Sequence, residues 1–126
     1  MGINQAGFQT EIEFELPKGF VDETGALQRQ GTMRLATAAD EILPLRDPRV
    51  QQNEAYLAVI VLARVITRLG SLADVHTGTI EGLYASDFAY LQRLYERVNA
   101  LDDEAQAERP RAAAATPLRR VAVGEA

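Results

Sequence analysis

His76 is the only histidine in the 126-residue chain, and Asp74 lies two residues before it. The pair is the candidate for acid–base chemistry, which requires an imidazole with a nucleophile or an orienting carboxylate within hydrogen-bond reach. A spacing of two residues in a loop does not place a carboxylate against the ring. We therefore interpret His76 as solvent-exposed, and a small enzyme that uses it is the minor alternative.

Three glutamates that alternate along one stretch, Glu11, Glu13 and Glu15, are the second candidate, for a divalent cation. On one face of a strand their backbones would stand roughly 6.5–7 Å apart. Calcium and magnesium need oxygens that converge on one point, so we predict no metal site. We interpret the acidic face as a solvated strand that discourages sheet aggregation or that faces a basic partner.

The composition excludes further classes of chemistry. The chain has no cysteine, so disulfides, thiolate zinc sites and cysteine nucleophiles are excluded. Neither a glycine-rich phosphate loop nor a Gly-x-Ser-x-Gly elbow occurs. The net charge of −5 opposes nucleic-acid binding. We predict a protein that is not an enzyme and binds no cofactor.

Targeting signals are missing as well. Residues 1–8 carry neither a positive cluster nor an apolar core of a signal peptide. The longest apolar run covers residues 55–63, whereas a membrane span needs about 20 apolar residues. We therefore expect a cytoplasmic protein without a membrane partner.

Alternating hydrophobicity predicts the first element. Apolar and polar side chains alternate strictly over residues 8–16, which is typical of a half-buried strand. A second extended stretch follows at about residues 26–35, so we predict a β-hairpin at about 8–35. Because an isolated hairpin is marginal in water, it must pack on the rest of the chain.

The rest of the domain has helical patterns over about residues 38–101. Thr37 and Asp47-Pro48 are typical of the starts of two short helices, with Asn53 as an alternative start. Residues 54–69 are apolar on most sides, which predicts a central buried helix that ends at Gly70. A second main helix with an apolar stripe begins at Ser86.

The predicted architecture is one α+β domain over residues 1–101, with a hairpin packed on two main and two short helices. Residues 102–126 combine an acidic run, four alanines in succession, two prolines and four arginines. This composition predicts a disordered tail. Because only about 100 residues fold, the stability margin is thin, which favours self-association or partner binding.

One flank of the central helix is the candidate binding surface. Leu57, Val61, Arg64 and Arg68 recur at three- and four-residue steps, so they would form a mixed apolar and basic face. Arginine is enriched at protein interfaces, which favours an acidic partner. The alternative is that the two arginine stems merely cover the edge of the core.

A resemblance to a known family rests on five stretches: FELPKGFVD (14–22), GTMRLATAADEI (31–42), AVIVLARVITRLG (58–70), IEGL (80–83) and DFAYLQRLY (87–95). Together they resemble the small tail assembly proteins of Mu-like phages and phage-tail-like contractile injection systems. In that family an extended segment leads to the motif R-x-x-T-A-x-D and then to helices that end in D-x-x-x-L. Met33, Arg34, Leu35, Thr37 and Asp40 match the central motif.

The resemblance implies a tail assembly chaperone with no catalytic residues. Such a protein would hold an aggregation-prone tape-measure helix until tube subunits polymerise around it. The alternative is a permanent structural component of the same particle, such as a tube, cap or baseplate adaptor.

Overall fold

A computed structural model describes residues 10–101, and these residues form a three-stranded sheet with helices on one side. The elements in chain order are β1 (Glu11–Val21), β2 (Leu27–Arg34), α1 (Ala38–Ile42), a 3₁₀ helix (Leu43–Arg46), α2 (Pro48–Gln52), α3 (Tyr56–Val65), β3 (Ile66–Leu69), α4 (Thr77–Glu81) and α5 (Ala85–Val98). The predicted α+β class is confirmed. The predicted disordered tail, 102–126, and the hairpin's first residues, 8–9, lie outside the described residues.

The predicted hairpin is confirmed as an antiparallel pair of β1 and β2. Asp22 closes its turn by accepting hydrogen bonds from the backbone N–H groups of Thr24 and Ala26 at 2.9 and 3.0 Å. Gly25 supplies the positive φ of 89° that this turn requires. The pairing register shifts between Glu15 and Phe20, where β1 is bulged.

The expectation of one helix over residues 54–69 is wrong at its C-terminal end. The helix α3 stops at Val65, and Ile66–Leu69 continues directly as β3, which pairs antiparallel with β2. The β-branched residues at this junction favour extended backbone. The free edge of β2 then supplies the hydrogen bonds that a longer helix would have formed internally. Gly70, with φ of 60°, therefore ends a strand and not a helix.

The core lies between the apolar face of the sheet and the two longer helices, α3 and α5. Phe14 on β1 lies opposite Gly31 on β2, and its ring makes an edge-on contact with Tyr90 of α5. The largest fully buried apolar side chains are Leu16, Met33, Val61, Leu62, Val65 and Leu91. This packing is the hairpin-on-helices arrangement that the sequence predicts.

The expected number of short helices is wrong, since residues 10–101 contain three of them and a 3₁₀ turn. The third, α4, follows His76, which was expected in a loop. Pro44 lies in the 3₁₀ turn, where its missing N–H prevents a regular α-helical bond. The helix α5 begins at Ala85, so Ser86 lies within its first turn and is not its cap. Within the part of the chain that the structure describes, no helix has the length and apolarity needed to cross a bilayer.

Candidate functional site

A buried ionic cluster centred on Asp40 joins three elements. The Asp40 side chain is 2% exposed and accepts two hydrogen bonds from the Arg34 guanidinium, at 2.8 and 3.0 Å. Arg64 of α3 donates a third through Nε at 2.9 Å, and the backbone N–H of Thr37 donates a fourth at 2.8 Å. The carboxylate therefore holds the end of β2, the start of α1 and the end of α3 together.

The electrostatics of this cluster favour permanent ionisation. The hydrogen bonds from Arg34 hold the pKa of Asp40 well below its usual range, with smaller contributions from Thr37 and Arg64. In return, the carboxylate raises the pKa of Arg34. A carboxylate that is ionised, buried and saturated with donors cannot serve as a general base or acid near neutral pH. Asp40 is therefore a structural residue.

The hydroxyl of Tyr95 extends this cluster to α5 by donating a hydrogen bond to the Glu41 carboxylate. Burial, and next the contact with Glu41, raise the pKa of Tyr95 well above its ordinary value. The phenol stays protonated and acts as a donor. Tyr95 is buried and belongs to the core.

A second buried acid, Asp87, fastens α5 to the bulge of β1. Its side chain is 0% exposed, and its two oxygens accept the backbone N–H groups of Lys18 and Gly19 at 2.9 and 2.8 Å. Gly19 has φ of 106°, a conformation that other residues rarely adopt. The bulge frees two N–H groups from the strand ladder, and Asp87 satisfies both.

The four predicted binding residues do not share a flank. Val61 is 1% exposed and belongs to the core, and Leu57 is half-buried against it. Arg64 is committed to Asp40. Arg68 lies on β3, where it donates to the Thr32 hydroxyl. The expectation that they share one helical face is wrong, because the helix ends before Arg68. A binding role for Leu57, Val61, Arg64 and Arg68 stays a prediction.

His76 has a structural contact that the sequence did not indicate. It is the N-cap of α4, and its Nδ1 accepts the backbone N–H of Gly78 at 3.1 Å. The neutral ring must therefore carry its proton on Nε2. His76 is exposed, as predicted, and it lines an open cleft of about 290 Å³ together with Asp22, Asp74 and the Phe20 ring.

The acidic residues do not assemble a metal site in the described part of the chain. No group of three histidine or carboxylate side chains converges there in a way that could hold a metal ion. The side chains of Glu11, Glu13 and Glu15 are exposed along β1. Among residues 10–101, the buried carboxylates of Asp40 and Asp87 therefore link elements of the fold. The exposed carboxylates do not converge on a common site.

An exposed apolar patch, formed by Ile42, Leu43 and Leu45, is the best candidate for a functional surface. These side chains are 59%, 44% and 48% exposed and lie within four consecutive residues. Pro44 between them and Val50 just after them are buried, so the backbone that carries the patch is anchored. Sequence reasoning missed the patch, although an apolar run this dense in so short a helical stretch cannot all face inward.

The anchoring of the patch continues on both sides. The ionic cluster around Asp40 holds the residues before it. After it, the Asp47 side chain caps α2 by accepting the backbone N–H of Arg49 at 2.8 Å, which confirms the predicted helix start at Asp47-Pro48. The Gln51 side chain donates to the backbone carbonyl of Leu45 at 2.9 Å. The patch is thus presented on structured backbone and not on a free loop.

Comparison of the chain with protein-family models, with curated protein sequences and with solved structures returned no match.

Proposed function

We propose that this protein is a non-catalytic assembly factor for a phage tail or a phage-tail-like contractile injection particle, and that it binds the tape-measure protein during tube assembly. The observation that carries the proposal is the apolar patch of Ile42, Leu43 and Leu45 on anchored backbone. Exposed clusters of large aliphatic side chains mark surfaces that bind other proteins. An amphipathic helix is the partner that such a surface fits, because its apolar stripe can cover the patch.

The positions of the motif residues also support the proposal. Arg34 and Thr37 of the R-x-x-T-A-x-D motif both donate to its Asp40, and Asp87 of the D-x-x-x-L motif holds the bulge of β1. A family that shares these residues without sharing a catalytic activity would need them for its fold. Binding specificity would then reside in exposed residues outside the motifs, such as those of the patch.

Co-expression with the tape-measure protein tests the proposal. We expect the wild-type chain to keep the tape-measure protein soluble, and the triple variant Ile42→Ser, Leu43→Ser, Leu45→Ser to lose this effect. The matched control is Val21→Ser, Leu27→Ser, Tyr84→Ser, which removes three equally exposed apolar side chains elsewhere. Both variants should keep the wild-type circular dichroism spectrum, because surface substitutions change stability little. Tape-measure solubility that does not depend on this protein would contradict the proposal.

A permanent structural component of the same particle is the second candidate. The same patch favours it, since interfaces between permanently associated subunits are the more apolar ones. The protein composition of purified particles separates the two functions. A stoichiometric amount of this chain in mature particles would support the structural component, whereas its loss before maturation would support the assembly factor.

A further inference from the structure

Among residues 10–101, the β1 edge of the sheet is acidic and has no strand paired on its outer side. Glu13 and Glu15 lie opposite Thr32 and Gln30 of β2. The carbonyl of Gln30 accepts the Gly70 N–H on the β3 side, so Gln30 faces β3. In an antiparallel ladder this alternation directs the backbone N–H and C=O groups of Glu13 and Glu15 away from β2. Within the part of the chain that the structure describes, backbone groups without a strand partner and negative side chains therefore lie along the same edge.

Two arginines that lie near this edge neutralise little of its charge. Arg34 lies opposite Glu11 in the register, but its guanidinium is bonded to Asp40. Glu15 has an exposed ion pair with Arg29 at 3.6 Å, and pairs of that kind contribute little. Along β1 itself the three carboxylates of Glu11, Glu13 and Glu15 outnumber the one cation, the exposed Lys18. The strand thus keeps a net negative charge that a basic segment could neutralise.

The same chain contains such a segment beyond the described residues. Residues 109–120 hold four arginines and no acidic residue. Residues 10–101 carry thirteen acidic and nine basic side chains, so their net charge is −4. The most basic segment of the chain and its acidic strand therefore have opposite charges.

The last described residues place this segment within reach of the edge. Asn99, at the end of α5, accepts the backbone N–H of Ala36 at 3.0 Å. The next residue back, Leu35, donates to the carbonyl of Thr10 at 2.8 Å. The chain beyond residue 101 therefore starts beside the Glu11 end of β1. Eight residues from there to Arg109 span at most about 29 Å, and the acidic stretch 11–15 is only about 13 Å long.

We propose that the basic segment 109–120 docks along the acidic edge of β1 in the same molecule. Individual exposed ion pairs are weak, but the tether gives the segment a high effective concentration at the edge. Docking would cover the unpaired backbone groups of Glu13 and Glu15 and so keep the edge from pairing with other strands. This contact is independent of the proposed tape-measure binding.

A spin label tests the proposal in the full-length chain. Because the protein has no cysteine, Ala114→Cys creates a single attachment site. We expect the label to broaden the amide signals of residues 11–15 most strongly. The broadening should disappear in 1 M salt, where the screening length is only about 3 Å. Broadening that is centred elsewhere, or that salt leaves unchanged, would overturn the proposal.

Two variant pairs locate the charges responsible. Glu11→Gln, Glu13→Gln, Glu15→Gln should abolish the broadening, whereas Glu23→Gln, Glu54→Gln, Glu96→Gln, which removes three other exposed charges, should preserve it. Replacing the four arginines by lysine should preserve it and replacing them by glutamine should abolish it. An equal loss in both glutamate variants would overturn the proposal. So would broadening seen only when a labelled chain is mixed with an isotope-enriched unlabelled one, which would indicate docking between two copies.

Discussion

Arg34 and Asp40 form a two-pronged ion pair in which Nη1 donates over 2.8 Å and Nη2 over 3.0 Å. Arg34 ends β2, and Asp40 lies in the first turn of α1. Because Arg64 of α3 also donates to the carboxylate, one buried charge determines how the sheet meets two helices. The patch at Ile42, Leu43 and Leu45 follows immediately, so the ion pair also positions the proposed binding surface.

Replacement of Asp40 by asparagine should destabilise the fold strongly. Asp40→Asn keeps the shape of the side chain but leaves two guanidinium groups without their anion. Both arginine side chains are about a third exposed, so water relieves part of the penalty. We expect a loss of about 2–4 kcal/mol in the free energy of unfolding, measured by urea denaturation. Glu23→Gln, at an exposed acid, is the control and should change it by less than about 0.5 kcal/mol.

Low pH should lower the free energy of unfolding, because it protonates Asp40. The pKa of Asp40 is held below its ordinary value of 3.8, so the folded state binds its proton less readily than the unfolded state. Its stabilising effect is therefore complete above about pH 5, where the unfolded carboxyl is also ionised, and is lost as the pH falls through the folded pKa. The pKa values of Asp22 and Asp47 are also lowered, to about 2. Protonation of these carboxylates should therefore remove further stability between pH 4 and pH 2.

Urea midpoints at pH 7, 4, 3 and 2 measure this effect. The difference in stability between wild type and Asp40→Asn should be constant from pH 7 to about pH 5 and should narrow below pH 4. A difference that does not change between pH 4 and pH 2 would contradict the assignment of the lowered pKa to Asp40.

Asp87→Asn should loosen the junction between α5 and β1. An amide offers one acceptor oxygen where the carboxylate offers two, so its NH₂ group would face one of the backbone N–H donors of Lys18 and Gly19. An unsatisfied buried donor costs about 1–3 kcal/mol. Hydrogen exchange should accelerate at these two amides more than at the amides of β3. The control is the exposed Asp74, whose change to asparagine should leave both rates unchanged.

Variants of His76 separate a structural from a catalytic role. His76→Ala removes the cap of α4 and should cost about 0.5–1 kcal/mol, the lower range for a lost cap because the helix has five residues. His76→Asn should restore most of that stability, since asparagine is a good capping residue. We expect both variants to support tape-measure solubility like the wild type. Loss of that function in the stable asparagine variant would indicate chemistry at the ring.

Elements with a local signal could be predicted from the sequence. The hairpin follows from the alternation over residues 8–16 and from a glycine in the turn, both of which act on neighbouring residues. The start of α2 at Asp47-Pro48 and that of α1 after Thr37 follow from capping chemistry within one turn. Tyr95 could be assigned to the core because the apolar stripe of α5 repeats at helical spacing.

Features that depend on a distant partner could not be predicted in this way. Ile66–Leu69 is compatible with either a helix or a strand, and the open edge of β2 decides in favour of the strand. The shared flank expected for Leu57 and Arg68 failed for that reason. His76 could be placed on the surface, but its contact with Gly78 depends on the short helix α4 that follows it.

The sequence by itself determined the α+β class, the hairpin, the approximate starts of the main helices and the absence of cysteine chemistry, because composition and periodicity act locally. Only the tertiary structure decided which charges are buried. Asp40 and Asp87 look like ordinary acids of a helix's first turn, yet they become buried because Arg34 and the bulge at Gly19 supply donors from elsewhere in the chain. The exposure of Ile42, Leu43 and Leu45 has the same origin, since a side chain is exposed only when no other element packs over it.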